Sequence, residues 1–319
     1  MICYHASHEQ FPPGQLLELS QLAKDAGFEG ITCSDHFHPW SSRQGQSGFA
    51  WAWLGASLQA TGLPHGVVSA PGWRYHPAIL AQAGATLAEM FPGKFWMALG
   101  SGEILNEGVV GYHWPAKTVR METLEESAEI IRALWAGETV THYGHVTVEE
   151  AALFTLPENP PLLIGAAISP KTAEWVGGWA DGMITISGPR EQMTQVVEAF
   201  ERGGGKGKPM MLKAEISYAE TDEAALQGAW EEWKTNIFGS SLLAQLRTPG
   251  EFESAAMYVR PEDMRSPVRI SPDIDQHVEW LREDLEMGFS TIGVHNVNRD
   301  QESFIRDFGG KLSTITGGR

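Results

Sequence analysis

Short apolar runs alternate along this chain with longer stretches in which apolar side chains recur every three or four residues. The runs are Ile2 to Ser7, Gly30 to Cys33, Gly66 to Ala70, Phe95 to Gly100, Leu162 to Ala167, Gly182 to Ile186, Met211 to Ile216 and Thr291 to His295. A brief, nearly continuous apolar run is what a strand buried on both faces requires. The stretches between them carry helical spacing. Leu16, Leu19, Leu22 and Ala23 precede a stop at Gly27, Trp51, Trp53, Leu54 and Leu58 form a second face, Pro77 opens a third helix, and a fourth runs from about Val119 to Leu134. Eight such runs separated by helices predict parallel βαβ units closed into an α/β fold, a (β/α)8 TIM barrel.

Two segments break the alternation. Thr139 to Val146 reads as a polar hairpin added to the main fold, and from about Asn236 to Ile270 the periodicity weakens around Pro249, Gly250, Pro261 and Pro267. The second is too long for a simple barrel loop. The expectation is therefore one barrel domain over residues 1–319 with a helical insertion at 236–270. That insertion serves either as a lid and specificity segment over the mouth or as a packing and dimer-contact extension.

Composition narrows the function classes. The 319 residues carry a formal net charge of −17, which argues against nucleic acid, because a polyanion is bound through clustered Lys and Arg. No apolar run reaches the roughly 18 residues a membrane span needs, and Met1 to His5 lacks a basic region followed by an apolar stretch, so a cytoplasmic protein is expected. Cys3 and Cys33 sit in apolar runs without a Cys-x-x-Cys partner, as reduced, buried thiols would. Gly203 to Gly207 precedes a strand and lacks a P-loop ending, and no Gly-x-Gly-x-x-Gly follows the first strand. Classical nucleotide cradles are thus unsupported.

Chemistry gathers where strands end, which is where barrels of this kind meet their ligands. After the second strand come Ser34, Asp35, His36, Phe37, His38, Pro39 and Trp40. After the fourth come Gly100, Ser101, Gly102, Glu103, Asn106 and Glu107, where glycines allow close approach of a planar or anionic ligand and a half-desolvated carboxyl can transfer protons. After the fifth, Ile168, Ser169, Pro170, Lys171 and Thr172 open a helix whose free N–H groups can take a phosphate. Ser187, Gly188 and Pro189 repeat the arrangement after the sixth. Each cluster alone can be read as a helix cap or a turn; their recurrence at successive strand ends favours a site.

With these clusters, Ala6 to Phe11 at the first strand and Trp73 to Ala78 after the third complete a pattern that resembles the luciferase-like flavin oxidoreductases. The similarity covers nearly the whole chain and is strongest to the branch that contains the glucose-6-phosphate dehydrogenase using the deazaflavin coenzyme F420. It implies an F420 or FMN cofactor, a small-molecule substrate and a homodimer. By position, His36 and Glu103 would be the proton-handling pair, with Asp35, Ala70, Ser101, Gly102 and Asn106 against the ring and ribityl chain. Ile168, Ser169, Lys171 and Thr172 would surround the cofactor phosphate. A non-prolyl cis peptide at Val67-Val68 would back the ring.

Trp40, Ile186 and Arg265 are the expected substrate contacts. Where the sugar-phosphate site of that branch has a threonine and a lysine, this chain has Ile186 and Pro189, so glucose-6-phosphate is not expected. The 12 tryptophans, Trp40, Trp73 and Trp114 among them, suit a flatter and more apolar substrate. Ile168 and Ser169 replace phosphate-loop glycines, which leaves F420 and an FMN-using clade both open, and with FMN a monooxygenase. Two other classes compete. One is a non-catalytic ligand-binding barrel. The other is a metal-dependent hydrolase, for which His36-Phe37-His38 supplies a His-x-His but later strands offer only His295.

Overall fold

The computed structural model describes residues 1–315 of the 319. Its strands are β1 (Ile2–Ala6), β2 (Gly30–Ser34), β3 (His65–Ser69), β4 (Phe95–Leu99), β5 (Val140–Tyr143), β6 (Thr147–Ala151), β7 (Leu162–Ala166), β8 (Gly182–Ile186), β9 (Met210–Ser217), β10 (Arg269–Ile270) and β11 (Phe289–Asn296). Eight of them, β1, β2, β3, β4, β7, β8, β9 and β11, pair in that order in parallel, and β11 closes on β1 with Ile2 opposite Ile292. The expected (β/α)8 barrel is the observed fold. The two-residue β10 is an appendage on the end of β9, through Ile270 opposite Ser217. β5 and β6 make the antiparallel hairpin read from the sequence, with His142 and Val146 tied to Glu126 of helix Lys117–Trp135.

The pleat divides each strand between two apolar layers. Tyr4, Cys33, Val67, Met97, Leu163, Leu212 and Val294 face outward into the helical shell. Trp96, Ala98, Ile164, Ile184 and Met211, with Val68 and Ala166 against them, fill the barrel interior instead. Further along the same inward faces the residues turn polar: His5, Thr32, Lys213, Glu215 and His295. Alternating side-chain direction along a strand forces this division, so the apolar plug forms a floor and the polar positions rise from it toward the C-terminal mouth.

The cis peptide expected between Val67 and Val68 is absent, and among the described residues every peptide bond is trans. Val67 lies opposite Cys33 and Met97, and Val68 opposite Ser34 and Ala98, so both ladders pass through that bond unbroken. A strand in regular register on both sides keeps the trans form, which non-prolyl bonds favour by about 2.5–4 kcal/mol.

Segment 236–270 folds into the short helices Ser240–Leu243 and Pro249–Ala255 and two 3₁₀ turns. Its Phe252, Met264 and Val268 pack with Trp40, Leu105, Trp233 and Val297, which belong to the loops and helix at the mouth. Among the described residues no helix is long and apolar enough to cross a membrane.

The interior floor has a sharp steric requirement. A Cβ placed on Gly66 would lie 2.0 Å from the Trp96 indole. Gly66→Ala is expected to lower the unfolding free energy by about 1–3 kcal/mol through overpacking, measured by urea denaturation; an unchanged midpoint would show that the indole does not occupy that space.

Candidate active site

Asp35 follows β2 with its carboxylate wholly withdrawn from solvent. Burying an ion demands hydrogen bonds and counter-charge, and the neighbouring loops supply both. Trp51 Nε1 donates at 3.2 Å, Ser69 Oγ at 2.7 Å and Tyr75 OH at 3.0 Å. Arg74 lies 3.4 Å away and also donates to the Asp35 carbonyl at 2.7 Å. The same guanidinium sits 3.7 Å from Glu107, whose carboxylate accepts the Arg74 backbone N–H at 3.0 Å. Asn106 Oδ1 accepts from the N–H of Phe37 at 2.9 Å, and His38 donates to the Leu105 carbonyl at 2.9 Å. The loops after β2, β3 and β4 are thereby one hydrogen-bonded unit. Asp35 and Asn106, expected against a cofactor ring, spend their side chains on this unit.

His36 is the residue this unit delivers to the mouth. Its Nδ1 lies 3.1 Å from Oε1 of Glu9, a buried acid just past β1. The other Glu9 oxygen accepts from Ser7 at 3.0 Å and Ser34 at 2.8 Å. Burial works to raise the Glu9 carboxyl, but His36, which is protonated at the low pH where Glu9 titrates, together with the Ser34 hydroxyl and Lys213 outweighs it and holds it at about 2. His36 moves the other way. Desolvation, aided by Arg74 and Lys213, lowers it against the pull of Glu9, so the imidazole is neutral beside an ionised acid. Trp40 packs edge-on against His36 at 4.9 Å and against Phe252 of the insertion at 5.2 Å.

Glu103 ends the loop after β4. Gly102 precedes it at φ +76°, and a Cβ there would meet Glu107 at 2.8 Å and Trp114 at 3.3 Å, so only glycine lets the chain pass. Oε2 of Glu103 is enclosed without a hydrogen-bond partner. Desolvation, with the charge of Glu107 added, pushes Glu103 up to about 8. Glu107 is itself raised to about 7 by burial, with Arg74 opposing. Glu9 and Lys213 act on both His36 and Glu103, which puts the two expected catalytic groups in one electrostatic environment.

The remaining expected residues divide. Ser101 and Gly102 are half-buried and Ala70 is buried at this mouth. Ser169 caps helix Pro170–Trp179, its hydroxyl 3.0 Å from that of Thr172, with Ile168 exposed beside it and Lys171 in the first turn. Val68 reaches the interior, whereas Val67 faces the shell. Ile186 stands exposed at the end of β8. Arg265 is not brought in: its guanidinium pairs with Asp222 on the surface. His295 lies tilted against His5 at 4.7 Å and edge-on to Trp233 at 4.8 Å, and meets Gln10 at 3.1 Å. Among the described residues no three His, Cys, Asp or Glu side chains converge as a metal would require. A depression of about 440 Å³ lies at the opposite end of the barrel, between Lys208, Pro209 and Gly288, far from the titratable cluster.

Three participants escaped the reading of the sequence. Glu9 and Arg74 stand in strand-end clusters of the kind used to single out Asp35 and Glu103, so that signal was available. Lys213 lies within a strand, where only an inward-facing charge in an otherwise apolar run marks it.

A cofactor of the flavin type suits this geometry: Oε2 of Glu103 is buried at this mouth without a hydrogen-bond partner, while Glu9 Oε1 and His36 Nδ1 have only each other, 3.1 Å apart. Buried polar atoms left so are rare and point to an absent partner.

The family model described as luciferase-like monooxygenase matches residues 3–291. An F420-dependent glucose-6-phosphate dehydrogenase of Microbacterium testaceum is 33% identical over 97% of this chain and 95% of its own. Among solved structures, an F420-dependent secondary alcohol dehydrogenase in complex with an F420-acetone adduct superposes with TM-score 0.93 at 28% identity, over 99% of this chain and 98% of that one. A monooxygenase, RslO1 from Streptomyces bottropensis, shares the fold with TM-score 0.74 at 18% identity, over 99% of both chains.

The raised carboxyl has a consequence for stability. A group whose pKa climbs from 4.5 to about 8 on folding stabilises the fold fully below pH 4.5 and loses that contribution as pH rises through 8. Glu103→Gln is expected to remove the Glu103 share of the decline in unfolding free energy between those limits, while Glu107 and the buried histidines, whose lowered values give a slope of opposite sign, contribute alike to both proteins. Parallel pH curves for variant and wild type would contradict the burial argument.

Proposed function

This chain belongs to the luciferase-like monooxygenase family, and from that premise we propose that it is an F420-dependent oxidoreductase that interconverts a small alcohol and its carbonyl compound by hydride transfer. The observation that carries the reading is the opposite displacement of two proton-handling groups at one mouth: His36 held neutral and Glu103 held protonated up to about pH 8. Pairs pushed apart in this way divide acid and base roles.

Bound in this mouth, the deazaflavin would supply a hydride acceptor or donor. The chain's own residues manage the protons and the position. Neutral His36, backed by ionised Glu9, takes the hydroxyl proton of an alcohol, or returns it in the reverse direction. Glu103 keeps its proton and offers it as a hydrogen-bond donor inside the mouth. Ser101, Gly102 and Ala70 would line the ring, and the start of helix Pro170–Trp179, with Ser169, Lys171 and Thr172, would take the phosphate. Segment 236–270, packed on Trp40 through Phe252, would cover the substrate side and exclude water.

Glucose-6-phosphate is a poor fit. Ile186 and Pro189 offer no side-chain donor at the end of β8, and Arg265 is spent on Asp222. A phosphate dianion calls for charge-assisted donors, so the substrate is a different, less charged molecule. Ile168 at the phosphate helix favours FMN as the second reading, and with it a monooxygenase.

Two measurements decide. Titration of the purified protein, followed by fluorescence, is expected to show micromolar binding of F420; preference for FMN would favour the second reading, and binding of neither would end both. His36→Ala and Glu103→Ala should each reduce turnover at least about a hundredfold, the usual scale of general acid–base catalysis, with cofactor affinity retained. Losses within about twofold would remove both residues from the chemistry.

A further inference from the structure

We propose that Lys213 is the substrate-binding cation of this site, that its ammonium donates to the oxygen on the carbon that exchanges hydride, and that the substrate is uncharged. The proposal rests on the dehydrogenase reading above and adds to it a residue and a substrate class.

The position comes first. Lys213 sits on β9 between Ile186 of β8 and Gly293 of β11, on the inward face that begins with Met211 of the apolar floor. The apolar floor lies below the lysine, and Thr32 fills the space beside Gly293, so the lysine stands on the mouth side of the interior. Its charge acts on Glu9, His36 and Glu103 alike, and on His5 and His295 deeper in.

The unused valence comes second. An ammonium carries three donors. One faces Glu215 Oε1 at a long 3.4 Å, and the Trp233 ring lies 4.9 Å away. Trp233 is itself fixed by its 3.3 Å hydrogen bond to Glu215 and its edge-on contact with His295. The lysine is thus oriented by its neighbours without being saturated by them, and its side chain remains 23% accessible. Other cations nearby are committed: Arg74 to Asp35 and Glu107, and Arg120 to the Pro115 carbonyl and the Trp114 face.

Charge balance selects the substrate. Glu215 already faces Lys213, and the negative charge of Glu9 offsets the positive charge of Arg120, so the site offers a substrate anion no surplus of positive charge. A neutral hydroxyl or carbonyl oxygen meets only the open donors, while Ile186 provides an apolar wall for the carbon skeleton. In the oxidative direction the C–H bond breaks and its electron pair passes with the hydrogen to the oxidised deazaflavin. The O–H proton goes to His36 and the C=O bond forms. Lys213 keeps its own protons and meets the negative charge that gathers on oxygen.

The test uses 2,2,2-trifluoroethanol as the alcohol and trifluoroacetate as its anionic counterpart, each followed by ¹⁹F NMR with the protein, beside F420 and FMN titrations of the same samples. Lys213→Met is expected to weaken the alcohol at least about tenfold, the scale of a hydrogen bond from a charged group, with cofactor affinity unchanged. Lys213→Arg should retain most of the binding, and the wild type should bind trifluoroacetate less tightly than the alcohol. Equal alcohol binding by wild type and Lys213→Met, or none by the wild type, would overturn the role of Lys213 while the cofactor result leaves the dehydrogenase reading standing. Tighter binding of trifluoroacetate would overturn the uncharged substrate. Failure of the wild type to bind either cofactor would overturn the underlying reading and this proposal with it.

Discussion

The mouth of this barrel depends on the neutralisation of one buried carboxylate. Asp35 has no access to water, and an unpaired ion in that position would cost several kcal/mol. The solution recruits Trp51 from the helix after β2, Ser69 from the end of β3, and Arg74 and Tyr75 from the loop beyond it. Because Arg74 also serves Glu107, and Asn106 holds the backbone of Phe37, the requirement spreads to the loop after β4. Loops that would otherwise move separately become a fixed frame, and the orientation of His36 is a by-product of satisfying its neighbour in sequence.

Inside that frame the chain gathers several electrostatic costs at one place. Oε2 of Glu103 is enclosed without a partner, His36 is largely but not wholly withdrawn from water, and Glu9 is ionised in the interior. Around the Arg269 to Asp284 pair, by contrast, two short hydrogen bonds satisfy the charge completely. Unsatisfied atoms concentrated at a barrel's C-terminal mouth mark a surface shaped for something other than folding. The apolar floor of Trp96, Ile164, Ile184 and Met211 contributes by keeping water from rising through the barrel.

Much of this was legible in the chain. All eight barrel strands were visible as apolar runs because each is buried on both faces, and the helices showed because each buries only one. The hairpin showed as a polar piece over Thr139 to Val146, which covers the strand Val140–Tyr143 and the turn but not the return strand Thr147–Ala151. The clusters at Asp35, Glu103 and Ser169 stood out since polar residues interrupt an apolar pattern where a strand ends. Segment 236–270 was recognisable as irregular, but its short helices lack the length for periodicity to develop.

What the sequence determined by itself is the set of elements and the strand ends at which chemistry collects, because both follow from burial patterns that repeat over a few residues. What only the tertiary structure decided is partnership. That Glu9 answers His36 across 27 positions, that Asp35 and Asn106 support the frame, that Arg265 turns to the surface and that the charge of Lys213 acts on Glu9, His36 and Glu103 depend on barrel closure. The trans bond at Val67 belongs with these, being a matter of register with strands on either side. Charges and hydrogen bonds act through space, and a chain folded into a cylinder brings together residues whose separation in sequence carries no information about the distance between them.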